Sequence, residues 1–185
     1  MERYEREESL SIYWFNRAND LRGAAGAVWF AMQNEGDQIH DLLGLEGGYC
    51  FSVACPSVFR MLCGLALELL YKALILEVSK KNPPTHHKLK KLSSLAQLTL
   101  DADDLELIDL LTDHVVWAGK YPVPKGGETE WDQHVARMNT ALTEPVPNMS
   151  IRLIRRNERL DWRDYTRIWN IGSSRYWELY HQRNP

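Results

Sequence analysis

The chain has no apolar run long enough to cross a bilayer. Its most apolar stretch, Arg60 to Ser79, already holds the charges of Glu68 and Lys72, whereas a span needs roughly 20 apolar residues. No membrane contact is expected. Cysteine is scarce: Cys50, Cys55 and Cys63 are odd in number, sit in apolar sequence and never form a Cys-x-x-Cys pair, which argues for buried free thiols rather than disulfides or zinc. His40, His114 and His134 each lack a Glu or Cys at ligand spacing, so no metal and no cofactor are expected. The opening MERYEREES carries acids and no apolar h-region, so no secretory leader is expected and the cytoplasm is the expected location. Alternating strand patterns, sequence repeats and low-complexity tracts are absent as well.

What is present is helical periodicity. At 185 residues, 44% hydrophobic and 25% charged, the chain lies in the globular range. RMLCGLALELLYKALILEVS, Arg60 to Ser79, is rich in Leu, Ala, Met, Glu and Lys and apolar on nearly every face, so it is read as the helix in the middle of the core. A first helix is read over Leu10 to Met32, with Ser9 as its N-cap and a middle weakened by Gly23 and Gly26. Asn34 to Cys50, with four glycines, reads as a long connection holding one short turn at Ile39 to Leu43. Pro83 and Pro84 stop the central helix; Thr85 caps a third whose apolar side is Leu89, Leu92, Leu95, Ala96 and Leu98. Asp101 caps a fourth, Ala102 to Ala118, with Asp103 and Asp104 in its positive first turn. A fifth places Trp131, Val135, Met138 and Leu142 on one face before Thr143 to Pro147 closes it.

The last segment differs in character. Residues 150–185 carry 8 basic and 4 acidic groups, in a chain whose net charge is −3. Asp161 caps a final helix in which Trp162, Tyr165, Trp169, Tyr176 and Tyr180 recur at helical spacing, and Gly172 with Ser173 and Ser174 marks a place for a kink. The expected fold is all-α: an up-down bundle of about five helices over 1–148, with a basic, aromatic-rich helical extension over 149–185 packed on the bundle or on a second subunit.

Three local patterns, taken in order, resemble the HEPN family of helical bundles (higher eukaryotes and prokaryotes nucleotide-binding). Ala66 to Glu77, ALELLYKALILE, is similar to the family's central helix, with Glu68 and Lys72 in its polar places. His87-Lys-Leu-Lys-Lys-Leu92 resembles the His-x-Leu-x-x-Leu that follows a proline-containing loop. Trp117-Ala-Gly-Lys-Tyr-Pro122 resembles the aromatic end of the next helix, with Lys120 in place of the usual Arg. The resemblance covers roughly residues 10–143. It implies a helical bundle, often a homodimer, in a family that ranges from RNases of toxin–antitoxin and defence systems, through partners of minimal nucleotidyltransferases, to domains with no known catalysis.

Catalytic members carry an Arg followed a few residues later by His on a late helix, where His exchanges a proton with a ribose 2′-OH and Arg holds phosphate charge. The fit here is Arg175 with His181, in the added C-terminal helix and with Tyr176 where a polar residue is usual. Arg60, Gly64, Glu68 and Lys72 form one i, i+4 row on the central helix. The row reads in two ways. It is either an ion pair fixing helix register, or a ligand-facing groove in which Arg60, Glu68, Lys72, His87, Lys120 and Tyr121 bind a phosphate-bearing molecule. Lys80, Lys81, His86, His87, Lys88, Lys90 and Lys91 make a basic cluster suited to solvent or to a nucleic-acid backbone. Asp101 to Asp113 holds six acids, explained by capping and solubility. The C-terminal arginines and aromatics suit a protein interface or single-stranded nucleic acid.

The expectation is a nucleotide- or nucleic-acid-associated binding and assembly module rather than an enzyme, homodimeric, with a nucleotidyltransferase-type protein and a nucleotide or RNA as expected partners. The alternatives are a metal-independent RNase using Arg175 and His181, and a purely structural homo-oligomer.

Overall fold

A computed structural model describes residues 7, 9–34, 37–45, 48–146, 154–157 and 159–183. It is an all-α bundle. The elements are α1 (Ser11–Gln33), α2 (Asp37–Leu43), α3 (Phe51–Ala54), α4 (Pro56–Ser79), α5 (Leu89–Leu95), α6 (Ala102–Asp113) running into a π-helical turn (His114–Ala118), α7 (Glu128–Leu142), two three-residue strands β1 (Thr143–Pro145) and β2 (Ile154–Arg156), and α8 (Trp162–Arg183). The strands pair antiparallel, Thr143 opposite Arg156, a short ribbon where sequence periodicity gave none.

α4 is the axis, packing against α1, α5, α6, the π turn and α8. Leu67, Leu70 and Leu74 are fully buried, as an all-round apolar helix requires. It starts four residues before the expected Arg60, because Pro56 suits the first helical turn, where a backbone N–H has no intrahelical acceptor. It ends at Lys80, whose left-handed backbone (φ 56°) turns the chain toward Pro83 and Pro84.

Two caps form as expected. Asp101 accepts the Asp104 N–H at 2.7 Å and Asp161 that of Asp164 at 3.0 Å. Two do not. Leu10, without a side-chain cap bond, precedes α1 in place of Ser9. Thr85 caps nothing, since α5 begins only at Leu89, whose N–H is taken by Thr112 Oγ1 at 3.2 Å, a tertiary bond that sets the start of the helix.

α8 runs unbroken through Gly172 to Ser174. Its row of Tyr165, Trp169 and Tyr176 lies in the same core as Phe15 of α1 and Leu70 of α4. The ring of Phe15 stacks on that of Tyr176 at 4.3 Å. The described residues of the extension therefore share the bundle's core, and Tyr165, Trp169 and Tyr176 are covered by this chain rather than left for a second subunit. Of the expected α7 face, Leu142 is buried and Met138 packs on the core, whereas Trp131 is exposed and His134 and Ala141 join the buried side. Cys63 is buried, but Cys50 and Cys55 are only half-buried.

Candidate functional site

Glu68 and Lys72 stand one turn apart on α4, so their side chains meet, with Nζ 2.7 Å from Oε1. Both are buried, which would be costly for either alone. The Lys72 ammonium also lies 5.9 Å from the centroid of the Trp14 ring on α1, a cation–π contact. His87, from the loop before α5, brings Nδ1 to 3.0 and 2.9 Å from the two Glu68 oxygens. A carboxylate can only accept, so Nδ1 carries the proton and donates it. The Glu68 side chain is 4% exposed and that of His87 is 53% exposed. The half-exposed imidazole is thus pinned at its Nδ1 edge, on a segment that also carries the exposed Lys88 and Lys91. A carboxylate that fixes ring orientation and tautomer through Nδ1 leaves Nε2 able to accept or give a hydrogen bond to a ligand.

These bonds join Glu68, Lys72 and His87 and do not extend to the other expected members. Arg60 is two turns from Glu68, roughly 12 Å along the axis. The gap above Gly64 is filled by Val115 and Leu111, so Arg60 does not reach across it. Instead Arg60 lines a cavity of ≈ 400 Å³ with Trp29, Phe59, Asn157 and Arg159. Lys120 and Tyr121 are exposed after the π turn. Among the described residues, no hydrogen bond or ion pair joins either to Glu68, Lys72 or His87.

Arg175 and His181 each contact a neighbour on their own helix. Six residues are one and two-thirds helical turns, so their side chains leave α8 on different faces. Arg175 pairs with Glu178 at 3.2 Å, and the His181 ring stacks on Trp177 with centroids 5.5 Å apart.

Three polar clusters were not legible from spacing. In the first, Asp113 accepts from His134 Nδ1 at 2.8 Å and from Arg137, and the His134 ring stands edge-on to Trp117 at 4.9 Å. Burial pushes the Asp113 carboxyl up, but His134 and Arg137 together hold it below its ordinary value. His114 beside them is buried and donates Nδ1–H to the Leu110 carbonyl at 3.0 Å; burial lowers its pKa to about 4. The second cluster neutralises α6 with the C-terminal segment. Arg167 pairs with the buried Asp104, and Arg159 with Glu106 at 2.9 Å. Burial lifts the Asp104 carboxyl more than Arg167 pulls it down, while the half-exposed guanidinium of Arg167 is itself held up by the pair. Several of the six acids are therefore paired rather than merely solvated. In the third, buried Glu77 accepts from Ser11 and from Arg183 Nη1 at 2.9 Å, tying the start of α1 and the end of α8 to the end of α4.

One signal did exist for His134. With Met138, Ala141 and Leu142 it falls at i, i+4, i+7 and i+8, an inward stripe, and a histidine on such a stripe needs a buried partner. Nothing in the sequence names Asp113 as that partner. Among the described residues, no group of three or more His, Cys, Asp and Glu side chains is placed to hold a metal ion. Compared with known proteins, the chain matches no family model, no curated protein and no solved structure.

Proposed function

We propose that the protein is a HEPN-like module that binds an anionic nucleotide or nucleic acid at the His87 face and assembles as a homodimer without cleaving its ligand. One observation carries the reading. A buried carboxylate holds an exposed imidazole by Nδ1, on a chain segment that also carries the exposed Lys88 and Lys91. Buried Glu68 is compensated by buried Lys72, so the outward charge is that of the lysines, a field suited to phosphates. The separation of Arg175 from His181, each engaged by its own helix neighbour, favours binding over the RNase alternative. Glu68, Lys72 and His87 are the members of the expected set that bond to one another, and the proposal is centred on them. A nucleotidyltransferase-type protein is the partner class that the HEPN resemblance adds.

The test is anisotropy of labelled single-stranded RNA and labelled ATP at about 50 mM salt and upward. Binding that weakens with salt, and again in His87→Ala and in Lys88→Glu/Lys91→Glu, is the expected result. No binding of either ligand at the lowest salt overturns the site and leaves the purely structural oligomer. RNA cleavage lost in His181→Ala overturns the non-catalytic part.

A further inference from the structure

Solvent reaches the middle of α4 along one stripe. From Leu62 to Glu77 only Leu62, Leu65 and Leu69 are half-buried, at a spacing of three and four, and every other position is buried. Glu68 and Lys72 follow Leu65 and Leu69 by three residues, so they flank this stripe. Each meets a side chain from another element: His87 Nδ1 bonds Glu68, and the Trp14 ring of α1 stands over the Lys72 ammonium. Three successive contacts of 3.0, 2.7 and 5.9 Å thus lead from His87 through Glu68 and Lys72 to Trp14. On that side Trp14 and Leu69 line a cavity of ≈ 500 Å³ together with Tyr13 and Asn16.

The chemistry of this cavity differs from that of the His87 segment. Arg17 and Asp20 on its wall pair with each other at 3.4 Å, and Glu7 adds a second carboxylate, so it has no excess of positive charge and disfavours phosphate. What it offers is two aromatic side chains, a leucine and the Asn16 amide, which both donates and accepts. A nucleobase matches that set, with flat faces that stack on aromatic rings and an edge of donors and acceptors. Openness decides between a free nucleotide and a strand. A small-molecule pocket covers about 70–90% of its ligand, whereas Tyr13, Asn16, Arg17 and Asp20 are all exposed and leave this cavity open along α1. A base tethered to a strand needs no such enclosure, because the backbone supplies much of the affinity.

We infer that this cavity seats an unpaired base of a single-stranded nucleic acid, with Trp14 and Tyr13 as its stacking groups and Asn16 at its edge, while the phosphates of the same strand lie on the His87 segment. The inference rests on the proposed binding at the His87 face and names the part of the ligand that the phosphate site does not hold.

The test is anisotropy, at about 50 mM salt, of a labelled single-stranded RNA of about ten nucleotides and of the abasic ribose–phosphate chain of the same length, with ATP as competitor. The variants are Tyr13→Ala, Asn16→Ala and Trp14→Leu. Tyr13 and Asn16 are exposed, so their truncation leaves the fold intact; Trp14→Leu is checked by its thermal melt, because the ring also meets Lys72. The RNA is expected to bind about tenfold more tightly than the abasic chain, the increment that one stacked base supplies. Tyr13→Ala and Trp14→Leu should each cut that preference by about fivefold or more and leave abasic binding unchanged, whereas His87→Ala should weaken both chains. Equal binding of the two chains, or a preference unchanged in Tyr13→Ala, overturns the inference and leaves the His87 site standing. ATP that binds as tightly as the RNA overturns the assignment to a strand. Failure of both chains to bind overturns the His87 reading and this inference with it.

Discussion

Gly172 of α8 lies on Leu70 of α4 so closely that a Cβ at that position would stand 2.8 Å from Leu70 Cδ2. Leu70 is fully buried and has no room to retreat, so the glycine is required by the helix contact and not by a kink. Gly172→Val should cost about 1–3 kcal/mol through overpacking, and Trp169→Ala about 3–5 kcal/mol through the cavity it leaves. Urea unfolding measures both. A Trp169→Ala chain as stable as wild type would mean that α8 is not part of the core, and truncation after Asn148 should leave a chain that does not fold cooperatively.

Removing Glu68 strands Lys72 in the core. Glu68→Ala should destabilise by about 3–5 kcal/mol, the cost of breaking a buried pair and leaving one charge uncompensated. Replacing both partners by apolar residues of similar size, Glu68→Met with Lys72→Leu, should recover most of that, since neither buried charge then remains. Urea midpoints of the single and double variants decide it: a double variant as unstable as the single would show that the pair stabilises the fold outright.

The features legible in the sequence are those whose partners are close along the chain or need no particular partner. α4 was recognisable because Leu67, Leu70, Leu74 and their neighbours leave no polar face, whatever surrounds them. Asp101 and Asp161 cap through bonds three residues long, and Glu68 meets Lys72 across one turn. His87 is 19 residues from Glu68 and entered the candidate site by resemblance alone. What spacing cannot give is which helices become neighbours. Asp104 and Arg167 are 63 residues apart and Ser11 and Glu77 66 apart, and each pair exists only once α8 and α1 have docked. The periodicity of Tyr165, Trp169 and Tyr176 demanded a cover without saying whether it came from the same chain. The π turn, in which His114, Val115 and Trp117 are buried, has no local signature either.

Gly64 marks the crossing of α4 with α6 and the π turn. A Cβ there would stand 2.5 Å from Val115 Cγ2 and 3.1 Å from the Leu111 carbonyl oxygen, which belongs to backbone and cannot rotate away. Gly64→Ala gains up to about 1 kcal/mol of helix propensity but should lose about 1–3 kcal/mol to the forced separation of the helices. The expected net effect is a lower Tm, read by calorimetry. A raised Tm would mean that the helices separate freely at this crossing.

His114 makes stability fall on mild acidification. Burial is the main cause of its depressed pKa, with Arg60 and His134 adding to it and the Leu110 carbonyl opposing, and the result is about 4 against an ordinary 6.5. The unfolded chain therefore binds a proton near pH 6.5 that the folded chain refuses until about pH 4. The contribution is complete above pH 6.5, declines as pH falls through that window and is lost by pH 4, a change of about 3 kcal/mol. Asp113, held below its ordinary 3.8, adds a loss only at lower pH still. Asp104, raised by burial, acts the other way and returns some stability as pH falls through its folded value. Urea unfolding at pH 7.5, 5.5 and 4.5 should show the decline, and His114→Gln, which keeps a donor for Leu110 but takes up no proton, should flatten it. An equal decline in that variant would assign the acid sensitivity to another group.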